Sequence, residues 1–414
     1  MKHRLHTGSN TVKKTSYAPR GPLLKEALAM QDSGHDVFFF NLGNPPEFGV
    51  RPPEEVMLNV VKNIWGCAPY SADFKGIFSA REAILQEAQN AGIKNVSIDD
   101  IYLTDGVTGA FILLMWAFLR PGMEVLMPRP CYPAWNAIIQ AFGGKVVAYR
   151  CDERNGYLPD LRDLEKKITP KTAFPLFISP NNPTGAVYPR DLLQKGVEIC
   201  RRHELPMIFD EIYSKLLYDG AEHISIASLA EDLLIFTMGG IAKNYRAPGF
   251  KGGWLIISGS DKRYARGVID NLNTLASIHL CANMLGQSAI QTCLGGHQSI
   301  KDLVSPPEGQ LYLRRAVAME ELQKIPGVSF VVPQGAFYIL MKFDPKVYRI
   351  ESDFQFCLQL LRETGVLIVN GTGFHCPSKP PFYARLVFLE DEHRLREGIR
   401  RIGKFLEHFN GRKK

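Results

Sequence analysis

The chain is predicted to be α/β: a large domain with a mostly parallel sheet flanked by helices, plus a smaller α+β domain. Three observations carry this. Strand-like runs recur from residue 101 to residue 258, and most are continuously apolar rather than alternating, as strands covered on both faces by helices are. Helical segments such as RDLLQKGVEICRRHEL (190–205) lie between many of them, which is the order of a parallel sheet. After about residue 300 the pattern changes to short strands mixed with amphipathic helices.

The runs follow in order: IYLTDG (101–106), EVLMPRP (124–130), KVVAYRC (145–151), AFPLFISP (173–180), PMIFDEIY (206–213), LLIFTMGG (233–240) and GWLIIS (253–258). A long helical region is expected over about 262–324. Beyond it come VSFVVPQGAFYILMKF, a helix near 352–363, VLIVNGTGF, ARLVFLE and a terminal amphipathic helix. The expected division is 1–45 as an N-terminal arm with part of the small domain, 46–300 as the large domain, and 301–414 as the small one.

The size agrees: 414 residues correspond to about two to three domains. Hydrophobic residues make up 45% and charged residues 22%, a composition that buries a large core. The longest apolar run, in AFILLMWAFL (110–119), is shorter than the roughly 20 residues of a membrane span, so a buried helix is expected and no membrane partner. The formal charge of +7 is concentrated at the two ends. No basic stripe is interleaved with aromatics, which argues against nucleic acid, and the basic N-terminus lacks the apolar segment of a secretory signal. Eight dispersed cysteines form no CxxC pair, and the histidines show no metal-ligand spacing. No metal is expected, and the chain reads as reduced and cytoplasmic.

Ligands of open α/β sheets bind beyond the carboxyl ends of the strands, and five strand exits carry unusual chemistry. GVTGA (106–110) opens a helix whose free N–H groups suit an anion, with Thr108 as a further donor or as an ordinary cap. PRPCYP (128–133) follows a strand. SPNNPTG (179–185) makes a turn that presents Asn182, while Asn181 serves the turn itself. DEIY (210–213) places Asp210 at a strand end, where a buried carboxylate wants a cationic partner or caps a helix; Glu211 is assigned no chemistry. GGIAK (239–243) ends in Lys243, an amine that burial or nearby cations would make nucleophilic. An aspartate facing a pyridinium nitrogen is the expected tuning device for pyridoxal phosphate.

With these residues in place the chain resembles the class I/II pyridoxal-phosphate aminotransferases of fold type I over nearly its full length. The motifs are NLGNP (41–45), PCYP (130–133), NNPTG, DEIY, AKNYRAPGFKGGW, PQGAFY (333–338) and ARLVF (384–388). It is similar in particular to the bacterial alanine (glutamate–pyruvate) aminotransferases, through YAPRGPLLKEA (17–27), NLGNPPEFG (41–49) and DEIYSKLLYDGAEHISIA (210–227). The resemblance implies a ping-pong transfer of an amino group between an L-amino acid and a 2-oxo acid, by a homodimer with shared active sites. Other amino-acid specificities (aromatic, aspartate, branched-chain), β-lyase chemistry, and a non-catalytic protein on the same scaffold are the alternatives.

The resemblance also implies roles. Lys243 anchors the cofactor and carries the proton. Asp210 holds the ring nitrogen, Tyr213 and Asn182 the ring oxygen, and Tyr132 stacks on the ring. Val107, Thr108 and Lys251 hold the phosphate, with Tyr70 reaching the partner subunit's. Arg385 takes the substrate carboxylate, with Asn182 beside it and Gly43 against the substrate. Tyr17 and Arg20 of the arm meet substrate, Arg20 as candidate for a distal carboxylate or as an exposed arginine. Four positions depart from the pattern: Gly240 where many relatives have serine, Lys251 where many have arginine, Ser179 as the first residue of the usual NPNNPTG, and PYSADFKG around Tyr70 with one extra residue before Gly76.

Overall fold

The computed structural model describes residue 15 and residues 17–263, 265–295 and 300–409. The basic stretches 1–14 and 410–414 lie outside the described residues. Among the described residues fourteen strands occur in chain order: β1 (Phe38–Phe39), β2 (Ile101–Asp105), β3 (Glu124–Arg129), β4 (Lys145–Asp152), β5 (Leu158–Pro159), β6 (Thr172–Ile178), β7 (Met207–Asp210), β8 (Ile235–Gly240), β9 (Gly252–Ser258), β10 (Val328–Phe330), β11 (Tyr338–Phe343), β12 (Val366–Leu367), β13 (Val369–Asn370) and β14 (Phe382–Val387).

The large sheet has eight strands in the order β2-β9-β8-β7-β6-β3-β4-β5. All seven runs read from the sequence are among them. The stretch β8-β7-β6-β3-β4 is parallel, while β9 runs antiparallel to both β2 and β8 and β5 antiparallel to β4. Every residue of β6, β8 and β9 is buried, which is why these runs are apolar without alternation. Strand order runs outward in both directions from the neighbours β3 and β6. That reversal opens a crevice above their carboxyl ends, where PRPCYP and SPNNPTG leave the sheet.

Two helix expectations are corrected. The helix Gly106–Phe118 buries Phe111, Leu114 and Met115 but leaves Ile112 and Trp116 exposed, Trp116 at 58%; it is one-sided rather than buried all round. Among the described residues the long helical region comprises four helices, Arg266–His279, Met284–Gly295, Lys301–Val304 and Gln310–Gln323. Leu280 adopts φ +69°, which stops the first, and Pro306 and Pro307, which cannot donate a helical N–H, precede the last.

The second sheet is antiparallel, in the order β10-β11-β14-β13. β1 pairs in parallel with β12, and the Phe40 carbonyl accepts the Val387 N–H, so the segment before residue 41 is stitched to the C-terminal unit. The terminal helix Glu392–His408 lays Leu395, Ile399, Ile402 and Leu406 into this unit, a 3–4 residue spacing that forms one apolar stripe. Among the described residues no helix is long and apolar enough to cross a membrane, and no group of three or more His, Cys, Asp or Glu could hold a metal ion.

Candidate active site

A cavity of about 660 Å³ opens above the carboxyl ends of the large sheet. Its lining includes Tyr17, Arg20, Gly43, Val107, Thr108, Tyr132, Asn182, Asp210, Tyr213, Lys243, Lys251 and Arg385. The structure thus brings together every site residue read from the sequence except Tyr70. Tyr70 is 73% exposed and lies outside this chain's own cavity.

Lys243 leaves the end of β8 and its Nζ donates 2.7 Å to the Gly43 carbonyl. Burial lowers its pKa to about 8, helped by the positive charges of Arg385, Arg20 and Lys251. Asp210 ends β7. It is 3% exposed, and its Oδ1 accepts the Ile212 N–H at 3.2 Å. No helix follows; the carboxylate therefore caps a turn, not the helix entertained from sequence. Burial pushes its pKa up to about 7, since a carboxylate in an apolar wall favours its neutral form.

At the other end of the cavity the helix Gly106–Phe118 presents Val107 and Thr108 in its first turn. Lys251 takes a left-handed conformation, φ 58°, after the turn Pro248–Phe250. A Cβ built on Gly106 would lie 3.8 Å from the Lys251 Nζ. The ammonium and the positive end of the helix therefore converge on one spot, the arrangement that binds an anion.

Arg385 sits in β14 opposite Leu340. Its Nη1 donates 3.0 Å to Asn182 Oδ1, its Nη2 donates to the Asn41 carbonyl, and its guanidinium stacks between the rings of Tyr338 and Phe374 at 4.5 and 4.4 Å. Nε is buried and has no partner among the described residues. Asn182 is delivered by its turn: Gly185, at φ 69°, donates to the Asn181 carbonyl at 2.8 Å and accepts the N–H groups of Gln334 and Gly335. Asn181 holds the turn through Thr184. Ser179, the departure at the head of this run, accepts the Tyr188 N–H at 2.9 Å and so has structural work of its own.

The arm enters through Tyr17, whose hydroxyl lies 2.8 Å from that of Tyr132, with Asn41 Nδ2 donating to the Pro19 carbonyl. Arg20 stays exposed at the rim. Gly43 lines the cavity, and a Cβ there would lie 2.5 Å from both the Phe337 ring and the Tyr338 hydroxyl. The protein's own rings are enough to exclude a side chain at this position.

Gly240, the glycine where many relatives have serine, lines a second cavity of about 550 Å³ along with Glu211, His223 and Ser225. A Cβ on it would approach the Gly252 carbonyl oxygen to 2.9 Å. Glu211, given no chemistry from sequence, faces this second cavity, 3.6 Å from His223.

The sequence reading missed Tyr338 and Trp135. Both line the main cavity, and Tyr338 shares a 2.6 Å hydrogen bond with Tyr213. Tyr338 was visible only as the last letter of PQGAFY, Trp135 only as an apolar residue after PCYP.

The family described as aminotransferase class I and II matches residues 39–402. The glutamate-pyruvate aminotransferase AlaA of Escherichia coli is 43% identical over 402 residues, 97% of this chain and 98% of that protein. The alanine aminotransferase of Mycobacterium tuberculosis is 42% identical over 98% of this chain and 94% of its own length. Among solved structures, an aminotransferase from Escherichia coli superposes with a TM-score of 0.95 at 43% identity, covering 98% of this chain and 99% of its own. Alanine aminotransferase from Pyrococcus furiosus gives a TM-score of 0.90 at 34% identity, over 97% and 99%.

Proposed function

The chain belongs to the class I and II aminotransferases, and on that premise we propose that it exchanges an amino group between alanine or glutamate and the matching 2-oxo acids, pyruvate and 2-oxoglutarate, with pyridoxal phosphate as cofactor. The observation that carries this reading is the convergence of Lys243, Asp210, Tyr213 and Arg385, from three separate segments, on one cavity. Its specificity for alanine and glutamate draws on the names of the relatives.

The residues fit the cofactor. Asp210 is buried, and among the described residues no cation stands beside it, so a protonated ring nitrogen would answer its charge. The Lys251 ammonium beside the first turn of the helix Gly106–Phe118 would take the phosphate, with Val107 and Thr108 donating. Tyr213 and Asn182 would hold the ring oxygen, and Tyr132 would cover one face of the ring. Bound there, pyridoxal phosphate supplies a carbonyl for amines and a ring that draws off the electron pair of a broken Cα bond.

The protein's own part follows from its geometry. Lys243, lowered to about 8, offers a neutral amine in an appreciable fraction near neutral pH, which would bond the cofactor's carbonyl and would lift and return a proton at the substrate Cα. Arg385 has its guanidinium fixed by Asn182 and Asn41 and would clamp the substrate α-carboxylate. Tyr17 closes over Tyr132 and would exclude water, and Arg20 would receive the second carboxylate of glutamate. Both half-reactions use the same groups, hence a ping-pong order.

A homodimer is part of the same proposal. Tyr70 would serve the partner's phosphate site, and Trp65, Ile64, Phe78, Trp116 and Ile278 are large apolar side chains left exposed, of the kind that association covers.

The experiment is a panel of amino donors and 2-oxo acceptors with wild type and Lys243→Ala. The expectation is that alanine–2-oxoglutarate and glutamate–pyruvate exceed aspartate, aromatic and branched-chain pairs, and that Lys243→Ala loses at least about 10²–10⁴-fold in rate. Preference for another donor would overturn the specificity; transfer by Lys243→Ala at the native rate would overturn the site.

A further inference from the structure

Tyr338 links the small sheet to the large one inside the cavity. It begins β11 of the small sheet, is 2% exposed, and its hydroxyl lies 2.6 Å from that of Tyr213, which follows β7 of the large sheet. The two rings meet edge to face at 5.7 Å. The Arg385 guanidinium lies over the Tyr338 ring at 4.5 Å. Room for the hydroxyl exists because residue 43 is glycine, whose carbonyl in turn holds Lys243.

Two hydroxyls in contact share one hydrogen bond, and only one of the two protons is spent on it. The spare proton decides what the pair can do. If Tyr338 donates, the Tyr213 proton is left for the cavity that Tyr213 lines. If Tyr213 donates, its proton is consumed inside the protein and the cavity receives only a lone pair. A hydroxyl that accepts a hydrogen bond is also a stronger donor itself, because the bonds polarise one another.

We propose that Tyr338 is a positioning residue: it donates to Tyr213, thereby directs the Tyr213 proton at the cofactor's ring oxygen, and through its ring beneath Arg385 ties that donor to the carboxylate clamp. This rests on the aminotransferase reading and adds to it a residue that acts through Tyr213. Because Arg385 and Tyr338 sit on paired strands, a carboxylate that shifts Arg385 bears on Tyr338 and so on Tyr213. The alternative is that Tyr338 is core packing whose hydroxyl is merely satisfied.

The test is the pH titration of the bound cofactor's visible absorbance in wild type, Tyr338→Phe, Tyr213→Phe and the double variant. Tyr338→Phe keeps the ring under Arg385 and removes only the hydroxyl. A donor to the ring oxygen favours its deprotonated form, so a weaker donor moves the midpoint to higher pH. The expected shift for Tyr338→Phe is upward by on the order of half a unit, smaller than for Tyr213→Phe, with the double variant no further displaced than Tyr213→Phe alone. A midpoint in Tyr338→Phe equal to wild type, or single shifts that simply add, would overturn the inference and leave the aminotransferase reading standing. Absence of any cofactor band in wild type would overturn both. Tyr338→Leu, which also removes the ring under Arg385, is expected to raise KM for every amino acid by about tenfold or more; a KM unchanged from wild type would break the link to the clamp.

Discussion

The Lys243 side chain donates a 2.7 Å hydrogen bond to the backbone carbonyl of Gly43, a residue 200 positions earlier in the chain. A backbone carbonyl accepts from an ammonium or a neutral amine alike, so the bond orients Lys243 without fixing its charge. The charge is set by burial and by three neighbouring cations.

The first prediction concerns that charge. In cofactor-free protein, trapping of Lys243 by a small aldehyde and a reductant requires the neutral amine, whose fraction grows as pH rises through the pKa. The rate should follow a midpoint near 8 and should fall below neutral pH. Arg20→Ala and Lys251→Ala each remove a lowering charge, so each should move the midpoint up. A midpoint at the ordinary 10.5, read by peptide mass analysis across pH, would refute it.

Asp210 should cost the cofactor-free protein stability. Its pKa is 3.8 ordinarily and about 7 when folded, so between these values the folded state holds a proton the unfolded chain has lost. The cost is absent below about pH 4, grows as pH rises through the gap between the two values, and is complete above about 7. Asp210→Asn should therefore match wild type near pH 4 and exceed it at pH 8 by up to on the order of 4 kcal/mol, measured by urea denaturation. With cofactor the ranking should reverse in affinity, the variant losing about 2–5 kcal/mol for want of a charge partner. Parallel pH–stability curves for the two proteins would contradict this.

Arg385→Lys keeps the charge and loses the planar fork that reaches Asn182 and the Asn41 carbonyl together. KM for amino acids should rise about 10–100-fold, the worth of one or two charged hydrogen bonds, with a smaller change in kcat. Equal falls in kcat and kcat/KM would place Arg385 in the chemical step instead.

Gly240→Ser restores the residue that many relatives carry, yet its Cβ would approach the Gly252 carbonyl to 2.9 Å. The variant should be destabilised by about 1–3 kcal/mol and should bind cofactor no more tightly. Tighter binding, seen in equilibrium dialysis, would show that a hydroxyl there does reach the phosphate.

Much of this was legible beforehand because the large sheet is covered on both faces. Burial on both sides forces continuous apolar runs, and β6, β8 and β9 announce themselves that way. Strand exits then stand out as the places where polar and glycine residues interrupt such runs, and so Thr108, Asn182, Asp210 and Lys243 could be named by position. Short strands left no such trace: β1, two residues long, is defined only by its partner β12.

The order of strands within the sheet could not be read either. β9, between β2 and β8, runs against both, though its residues are as apolar as those of the parallel strands. Direction depends on how the connecting loop returns, which composition does not record.

By itself, the sequence determined which groups are available: a lysine, an aspartate, a tyrosine and an arginine, each at the end of an element or inside a strand able to hold it. Only the tertiary structure decided their company. That Gly43 is excluded from bearing a side chain by Phe337 and Tyr338, that Gly240 faces a different cavity from Lys243, and that Tyr338 bonds Tyr213 are all contacts between segments far apart in the chain. Such contacts are selected by close packing, where a shift of a few tenths of an ångström separates contact from clash, and no local pattern of residues encodes that distance.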